Sequence, residues 1–297
     1  MKTIPVYDLS AQQMVEEKVY GGEMLDFAYR FPPLRALIGQ VWVQKFVSNY
    51  VGDKKKSPQS REDIEPFLKS FNMSLDEYVV PEGGFKTFND FFIREKKEVL
   101  FPQDPSVFAS PCDARLSVSR IENGVPALKI KGKDVLLPDL LGSFKEKCPQ
   151  KGWAFTFRLC PLDYHRFHFV DEGVVSVAHK LGTQLHSVNP WALQQLPKIF
   201  EWNERQLAFQ ASKNFGELLY LEVGAMCVGR IHQSYTQNTT VLRGQEKGYF
   251  DFGASTQVLI VGEENNKTLK LNPEILKKNE EGIEVLVRLG EELGQYS

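Results

Sequence analysis

Tyr249-Phe-Asp-Phe-Gly-Ala-Ser-Thr-Gln-Val-Leu-Ile-Val261 holds two apolar runs, Tyr249–Phe252 and Val258–Val261, separated by four small residues, Gly253-Ala254-Ser255-Thr256. The runs read as strands and the small residues as a tight turn, which sets a hydroxyl at a bend. Gly253 tolerates a positive φ and a close backbone approach. A strained turn there would bring the Ser255 hydroxyl back onto the Ala254 carbonyl. The same residues also make an ordinary hairpin with a solvated serine, so the rest of the chain has to decide between the two.

The chain has 297 residues, 42% of them hydrophobic and 25% charged, which allows a sizeable core and excludes a disordered or fibrous class. A net charge of −2 gives no global attraction to nucleic acid or to anionic lipid. Membrane contact, if any, is therefore local, and no nucleic-acid partner is expected. Cys112, Cys148, Cys160 and Cys227 form no Cys-x-x-Cys pair, so neither a metal cluster nor a redox motif is expected. The opening Met1-Lys-Thr-Ile-Pro-Val-Tyr-Asp shows no signal-peptide pattern. The thiols are expected to be reduced, in a cytosolic protein. No apolar run reaches the roughly 18 residues of a membrane span.

Toward the N-terminus, Ala11–Tyr20, Glu23–Phe31 and Leu34–Val51 read as helices, with Pro32-Pro33 between the last two. The apolar residues of the third cover most of its circumference. Such a helix is either buried on several sides or dips partly into lipid. Lys54-Lys55-Lys56 follows, and a basic triplet there favours an anionic surface or makes a solvated turn. Ser57–Val80 is helical again, with Pro66 near its first turns. Phe85-Lys-Thr-Phe-Asn-Asp-Phe-Phe-Ile-Arg94, taken alone, reads as aromatic core.

Beyond Leu100 come short strands: Ala114–Ile121, Ala127–Ile130, Trp153–Arg158, Gly173–His179, Arg205–Ala211, Glu217–Val223 and Cys227–Tyr235. Their spacing predicts an antiparallel sandwich or barrel. No phosphate loop, Gly-x-Gly-x-x-Gly or βαβ rhythm supports a nucleotide cofactor. Gly282–Gly294 resembles the strand-and-turn ending of barrel-sandwich hybrid folds. The expected class is α+β: a helical, membrane-associating region over residues 1–60, then a β-rich catalytic body over 61–297.

Two further stretches carry chemistry. Ser110-Pro-Cys-Asp-Ala-Arg115 sets Asp113 after a proline turn and before a strand, where an aspartate also serves as an ordinary cap. Pro161-Leu-Asp-Tyr-His-Arg-Phe-His-Phe169 carries His165 and His168. No third ligand at zinc spacing accompanies them. On a regular strand the two histidines face opposite ways, and only a bulge or a strand end lets both serve one pocket.

These motifs together resemble the phosphatidylserine decarboxylases, from about Tyr20 to Gly294. The Gly-Ala-Ser-Thr turn is similar to that family's self-cleavage segment. Phe88-Asn-Asp-Phe-Phe-Ile-Arg94, Ser110-Pro-Cys-Asp113 and Pro161-Leu-Asp-Tyr-His-Arg-Phe-His168 are similar to its other signatures. His186-Ser-Val-Asn-Pro190 and Leu221–Gly229 resemble two more, with packing or turn roles expected. The resemblance implies that Asp113, His168 and Ser255 form an activated nucleophile that cuts Ala254–Ser255. It implies a covalent pyruvoyl group made from Ser255, on which phosphatidylserine is decarboxylated through a Schiff base. His165 would then handle the carboxylate or the returning proton.

The products would be a β chain, 1–254, and an α chain, 255–297, that stay associated, with room for a homodimer. The expected location is the cytosolic face of the cell membrane, held peripherally against its phosphatidylserine. The residue before the cut is usually glycine in this family. If it needs a positive φ, Ala254 costs about 1–2 kcal/mol. Two other readings of the same scaffold stay open: a decarboxylase of a soluble amino acid, and a non-processing lipid-binding module.

Overall fold

The computed structural model describes residues 3–18, 41–123, 127–130, 133–184, 198–224, 231–253, 255–263 and 268–297. The expected helix Glu23–Phe31, the start of the helix from Leu34, the loop 186–190, Cys227 and Ala254 lie outside them.

An 11-stranded sheet forms the body. From edge to edge run Thr239–Val241, Gly173–Val175, Arg205–Ser212, Gly216–Val223, Ser255–Gly262, Lys151–Leu159, Ala114–Glu122, Glu284–Val287, Thr3–Asp8 and Gln13–Lys18. His179–Leu181 also pairs with Arg205–Ser212. Every pairing is antiparallel except that of Thr3–Asp8 with Glu284–Val287.

Ser255–Gly262 lies in the middle of this sheet, and its residues from Ser255 to Val261 are all buried. The period-2 alternation of a strand divides its side chains between two cores. Val258 and Ile260 join Leu207, Leu219, Leu221, Leu137 and Leu140 on one face. Leu259 and Val261 join Phe108, Phe155, Phe157 and Tyr220 on the other. Covering both faces explains why the strand reads as a continuous apolar run rather than an alternating one.

Arg166–His168, Glu246–Phe250 and Ile231–Gln233 make a separate three-stranded sheet. Its register shifts between Phe167 and His168, which supplies the strand irregularity that the two histidines require. Gly248 lets this sheet close, because a Cβ there would lie 2.0 Å from the His232 carbonyl oxygen and 2.9 Å from the Phe167 ring.

The helical elements include Val41–Lys56, a 3₁₀ turn Pro58–Asp63, Ile64–Phe71 and the short Phe88–Phe92. Thr87 and Asp90 start the last as a capping box. Pro66 sits at the third position of its helix, where no intrahelical N–H bond is lost. Lys54–Lys56 is the last turn of its helix rather than a free patch. Lys55 pairs with Asp63 at 2.8 Å and Lys56 with Asp251 at 2.6 Å. Phe67, Phe85, Phe88, Phe91 and Phe92 form one apolar cluster that also takes in Phe252. The helices are thereby packed onto the stretch that leads into Ser255. Among the described residues no helix is long and apolar enough to cross a membrane.

Four expectations need correction, the first being Ser57–Val80, which is helical only to Phe71, with Tyr78–Val79 a short strand paired with Glu95–Lys96. Ala11–Tyr20 is not a helix: Gln13–Lys18 is an edge strand paired with Thr3–Asp8. Gly173–His179 is two strands rather than one. No closed barrel forms among the described residues, since the main sheet keeps two edges, at Thr239–Val241 and Gln13–Lys18.

The N-terminal strand is held by charge as well as by its ladder. Glu17 is buried against the Arg115 and Arg158 guanidiniums, and Arg158 also reaches Glu284 at 2.5 Å. Burial pushes the Glu17 carboxyl up, but Arg158 and Arg115 outweigh it and bring it down to about 2. Glu17→Ala leaves two buried cations short of a partner and should cost about 3–5 kcal/mol in urea unfolding of the Ser255→Ala precursor. A loss below about 1 kcal/mol would show that the hairpin is only a loosely attached rim.

Candidate active site

The turn before Ser255 is fixed from three directions. Gly253 has φ 143°, a value that favours glycine, so the bend expected there is formed. Asn89, on the Phe88–Phe92 helix, accepts a hydrogen bond from the Phe252 N–H at 3.0 Å and donates to Asp251 Oδ1 at 3.2 Å. Asp251 Oδ2 receives Lys56 at 2.6 Å and His232 Nε2 at 3.0 Å. Burial pushes the Asp251 carboxyl up, yet His232, Lys56 and Asn89 together hold it well below the usual carboxylate range. Phe252 packs edge-on against Phe88 at 5.3 Å and Phe92 at 5.1 Å.

His165 approaches this turn from the other side. Its carbonyl accepts from the Phe250 N–H at 3.0 Å, and its ring lies 3.7 Å from the Phe92 ring centroid. Nδ1 faces the Asp163 carbonyl at 3.0 Å. A carbonyl only accepts, so Nδ1 carries the proton and Nε2 carries the lone pair. Nε2 makes no hydrogen bond, although the Gly253 backbone is near enough to the ring to favour its charged form. Burial is the main reason that the His165 pKa falls to about 3, with the Arg94 charge adding to it. The ring is therefore neutral at neutral pH, and burial makes it harder to protonate than a solvated imidazole.

Ser255 is wholly buried, and its Oγ also has no hydrogen-bond partner. Buried polar atoms nearly always find partners, so an orphaned donor and an orphaned acceptor on segments that meet at one turn mark a site built for something other than stability.

The loop carrying His165 is itself clamped. Arg115 grips Asp163 at 2.5 Å, and the Asp163 carboxylate also takes the Cys160 N–H at 2.6 Å. Arg94 donates to the Leu162 and Asp163 carbonyls at 2.8 and 3.0 Å. The aromatic motif thus brings two polar residues, Asn89 and Arg94, that hold the turn and the histidine loop.

His168 is buried, and its N–H bonds the carbonyl of Pro111, two residues before Asp113, at 2.9 Å. Its Nδ1 faces the Gly244 carbonyl at 3.0 Å, which again leaves the lone pair on Nε2, 3.4 Å from the Tyr164 hydroxyl. Burial lowers its pKa, so it too is neutral. Asp113 accepts from the Leu289 N–H at 2.8 Å and from Lys96 at 3.2 Å. No hydrogen bond joins Asp113 to His168, or His168 to Ser255, in this structure.

Sequence reading missed Asn89, Arg94, Asp251 and His232, and also Glu222, Lys247 and Gln257, which form a buried polar cluster beside the Ser255 strand. The available signal was charge out of place: Glu222 interrupts the apolar run Leu218–Val223, and Lys247 falls inside a strand.

A family model described as phosphatidylserine decarboxylase matches residues 88–295. Proteins named phosphatidylserine decarboxylase proenzyme match nearly end to end. That of Clostridium kluyveri is 38% identical over 98% of this chain and 98% of its own length. Those of Clostridium tetani and Desulfitobacterium hafniense are 36% and 37% identical, each with 98% of both chains covered.

The pH dependence of the precursor tests the state assigned to His165. A histidine whose folded pKa is depressed contributes stability that is present above its unfolded value, about 6.5, and lost as pH falls toward 3. In the Ser255→Ala precursor, stability should fall between pH 6.5 and 4 by about 1.4 kcal/mol per pH unit more than in the same precursor with His165→Gln. Parallel curves would show that the ring is solvated or charged.

Proposed function

The chain belongs to the phosphatidylserine decarboxylase family, and from that premise we propose that it is a proenzyme that cuts itself at Ala254–Ser255 and then decarboxylates phosphatidylserine. The observation that carries this reading is the wholly buried, unpartnered Ser255 hydroxyl just beyond the Gly253 bend. In self-cleavage the Ser255 Oγ bonds to the Ala254 carbonyl carbon, and the peptide C–N bond breaks to leave an ester. Loss of the Ser255 α-proton then expels the Ala254 carboxylate from Cβ. Water converts the resulting dehydroalanine to a ketone and releases ammonia.

A pyruvoyl group at position 255 suits the site. It replaces the serine hydroxymethyl by a methyl, and because the Oγ makes no hydrogen bond, that change leaves no partner stranded. The group supplies a ketone that takes up the substrate amine and accepts the electron pair left by carbon dioxide. In maturation we assign Ser255 the attack and His168 the proton removal, with Asp113 fixing the surroundings of His168. In turnover we assign His165 the substrate carboxylate and the proton returned to the α-carbon, both after its Nε2 has taken up a proton from water. A second reading has its own support: the open Nε2 of His165 beside Gly253 makes it the base for self-cleavage as well.

The two products would remain together, because 255–297 supplies the central strand Ser255–Gly262 and the strand Glu284–Val287 of the main sheet. Contact with a cytosolic membrane face is proposed for the region around Val41–Lys56, where Tyr50 and Lys54 are exposed one helical turn apart. Release of carbon dioxide from free serine without lipid would favour the soluble-substrate reading instead.

Intact-mass measurement of the purified protein should give fragments of 254 and 43 residues, the smaller lacking an N-terminal amine. A serine amine on it would mean ordinary proteolysis. His165→Ala should still cleave while its turnover falls by about 10² or more. Failure of that variant to cleave would move the maturation base from His168 to His165.

A further inference from the structure

Glu222 and Lys247 are both 0% exposed, with side chains meeting at 2.9 Å, and nothing in the chemistry above uses them. They belong to different sheets. Glu222 lies on Gly216–Val223, directly across from Gln257 of the Ser255 strand, and its Oε1 accepts from Gln257 Nε2 at 3.1 Å. Lys247 lies on Glu246–Phe250, in the small sheet that carries His168, and also donates to Gln233 Oε1 of that sheet at 2.9 Å. Gln233 returns a hydrogen bond to Glu222 Oε2 at 3.0 Å. The Lys247 ammonium lies 5.4–5.5 Å from the centroids of the Phe167, Tyr220 and Tyr235 rings.

A buried ion pair is a poor route to stability, because desolvation offsets most of its attraction and apolar residues fill the same volume as well. What this one does is join two sheets at a fixed distance. The small sheet places the histidines, and the main sheet places residue 255. The chain passes between the two sheets at several places, 160–165, 169–172 and 242–245 among them, but the passage that leads straight into residue 255 is 251–254, and self-cleavage cuts it.

We propose that the Glu222–Lys247 pair, with Gln233 and Gln257, is a positioning strap that takes over from the cut peptide and holds residue 255 in register with the histidine sheet during turnover. The proposal rests on self-cleavage at Ala254–Ser255. Glu222, Lys247, Gln233 and Gln257 are positioning residues under it and touch no substrate.

The double variant Glu222→Gln/Lys247→Met removes both charges, keeps an amide between the two glutamines and replaces the lysine by a side chain of similar length that fits among the rings. Its thermal midpoint should stay within about 5 °C of the parent. Self-cleavage should slow by less than about threefold, because residues 251–254 still tie the sheets before the cut. Turnover of the cleaved form should show kcat on phosphatidylserine lower by about tenfold or more with KM little changed, as misplacement of reacting groups gives. Gln257→Met leaves the ion pair intact and removes the share of the Ser255 strand, together with a 3.8 Å contact from the Cys112 thiol, so it should give the same split at smaller size if the double variant folds poorly. Parent-like kcat in the cleaved variant overturns the proposal, as does self-cleavage that falls as far as turnover. An uncleaved parent removes the premise and the proposal with it, and the same gel shows this before any turnover is measured.

Discussion

The two hydrogen bonds of the Asn89 side chain are the constraint on which the site depends. One holds the Phe252 N–H and the other holds Asp251, so the residues that lead into the Gly253 bend are tied to a helix that is otherwise aromatic core. With Asp251 also bound to Lys56 and His232, the turn has little freedom left, and Gly253 can adopt a φ that other residues resist. Four elements far apart in sequence thereby converge on one bend. That convergence allows a serine hydroxyl to stand buried and unpaired beside it, a state that an untethered turn would relax by rotating the hydroxyl into water.

Burial does the second part of the work. His165 and His168 each give their Nδ1 proton to a backbone carbonyl, so both rings present a lone pair at Nε2, and a dry surrounding keeps both neutral. Neither ring is oriented by a carboxylate. The arrangement differs in this from a Ser-His-Asp triad, in which an acid fixes the tautomer. Here Asp163 supplies its carbonyl to His165 and its carboxylate to Arg115, and thus orients the ring while its charge is spent on holding the loop.

Much of this was legible in the sequence where local pattern and tertiary need agree. Ala127–Ile130 has the bounds that alternation predicts, and the strand irregularity that His165 and His168 demand is present as the register shift between Phe167 and His168. Ala11–Tyr20 was misread because Gln, Met, Glu and Lys favour helix, whereas strand pairing and the burial of Glu17 between two arginines override that local preference. That the main sheet stays open was equally hidden, since strand spacing reports neighbours but not edges. The polar residues around the turn escaped notice because their partners lie far away in sequence. Asn89 meets Asp251 across 162 residues and Lys247 meets Glu222 across 25, so each looks, locally, like a solvated side chain.

The central claim is that Ser255 is the source of a decarboxylating centre, and release of labelled carbon dioxide from carboxyl-labelled phosphatidylserine in mixed micelles tests it most directly. The purified parent should release label, and Ser255→Ala, prepared in the same way and folded by circular dichroism, should release none. No release by a cleaved parent, or equal release by Ser255→Ala, would contradict the account.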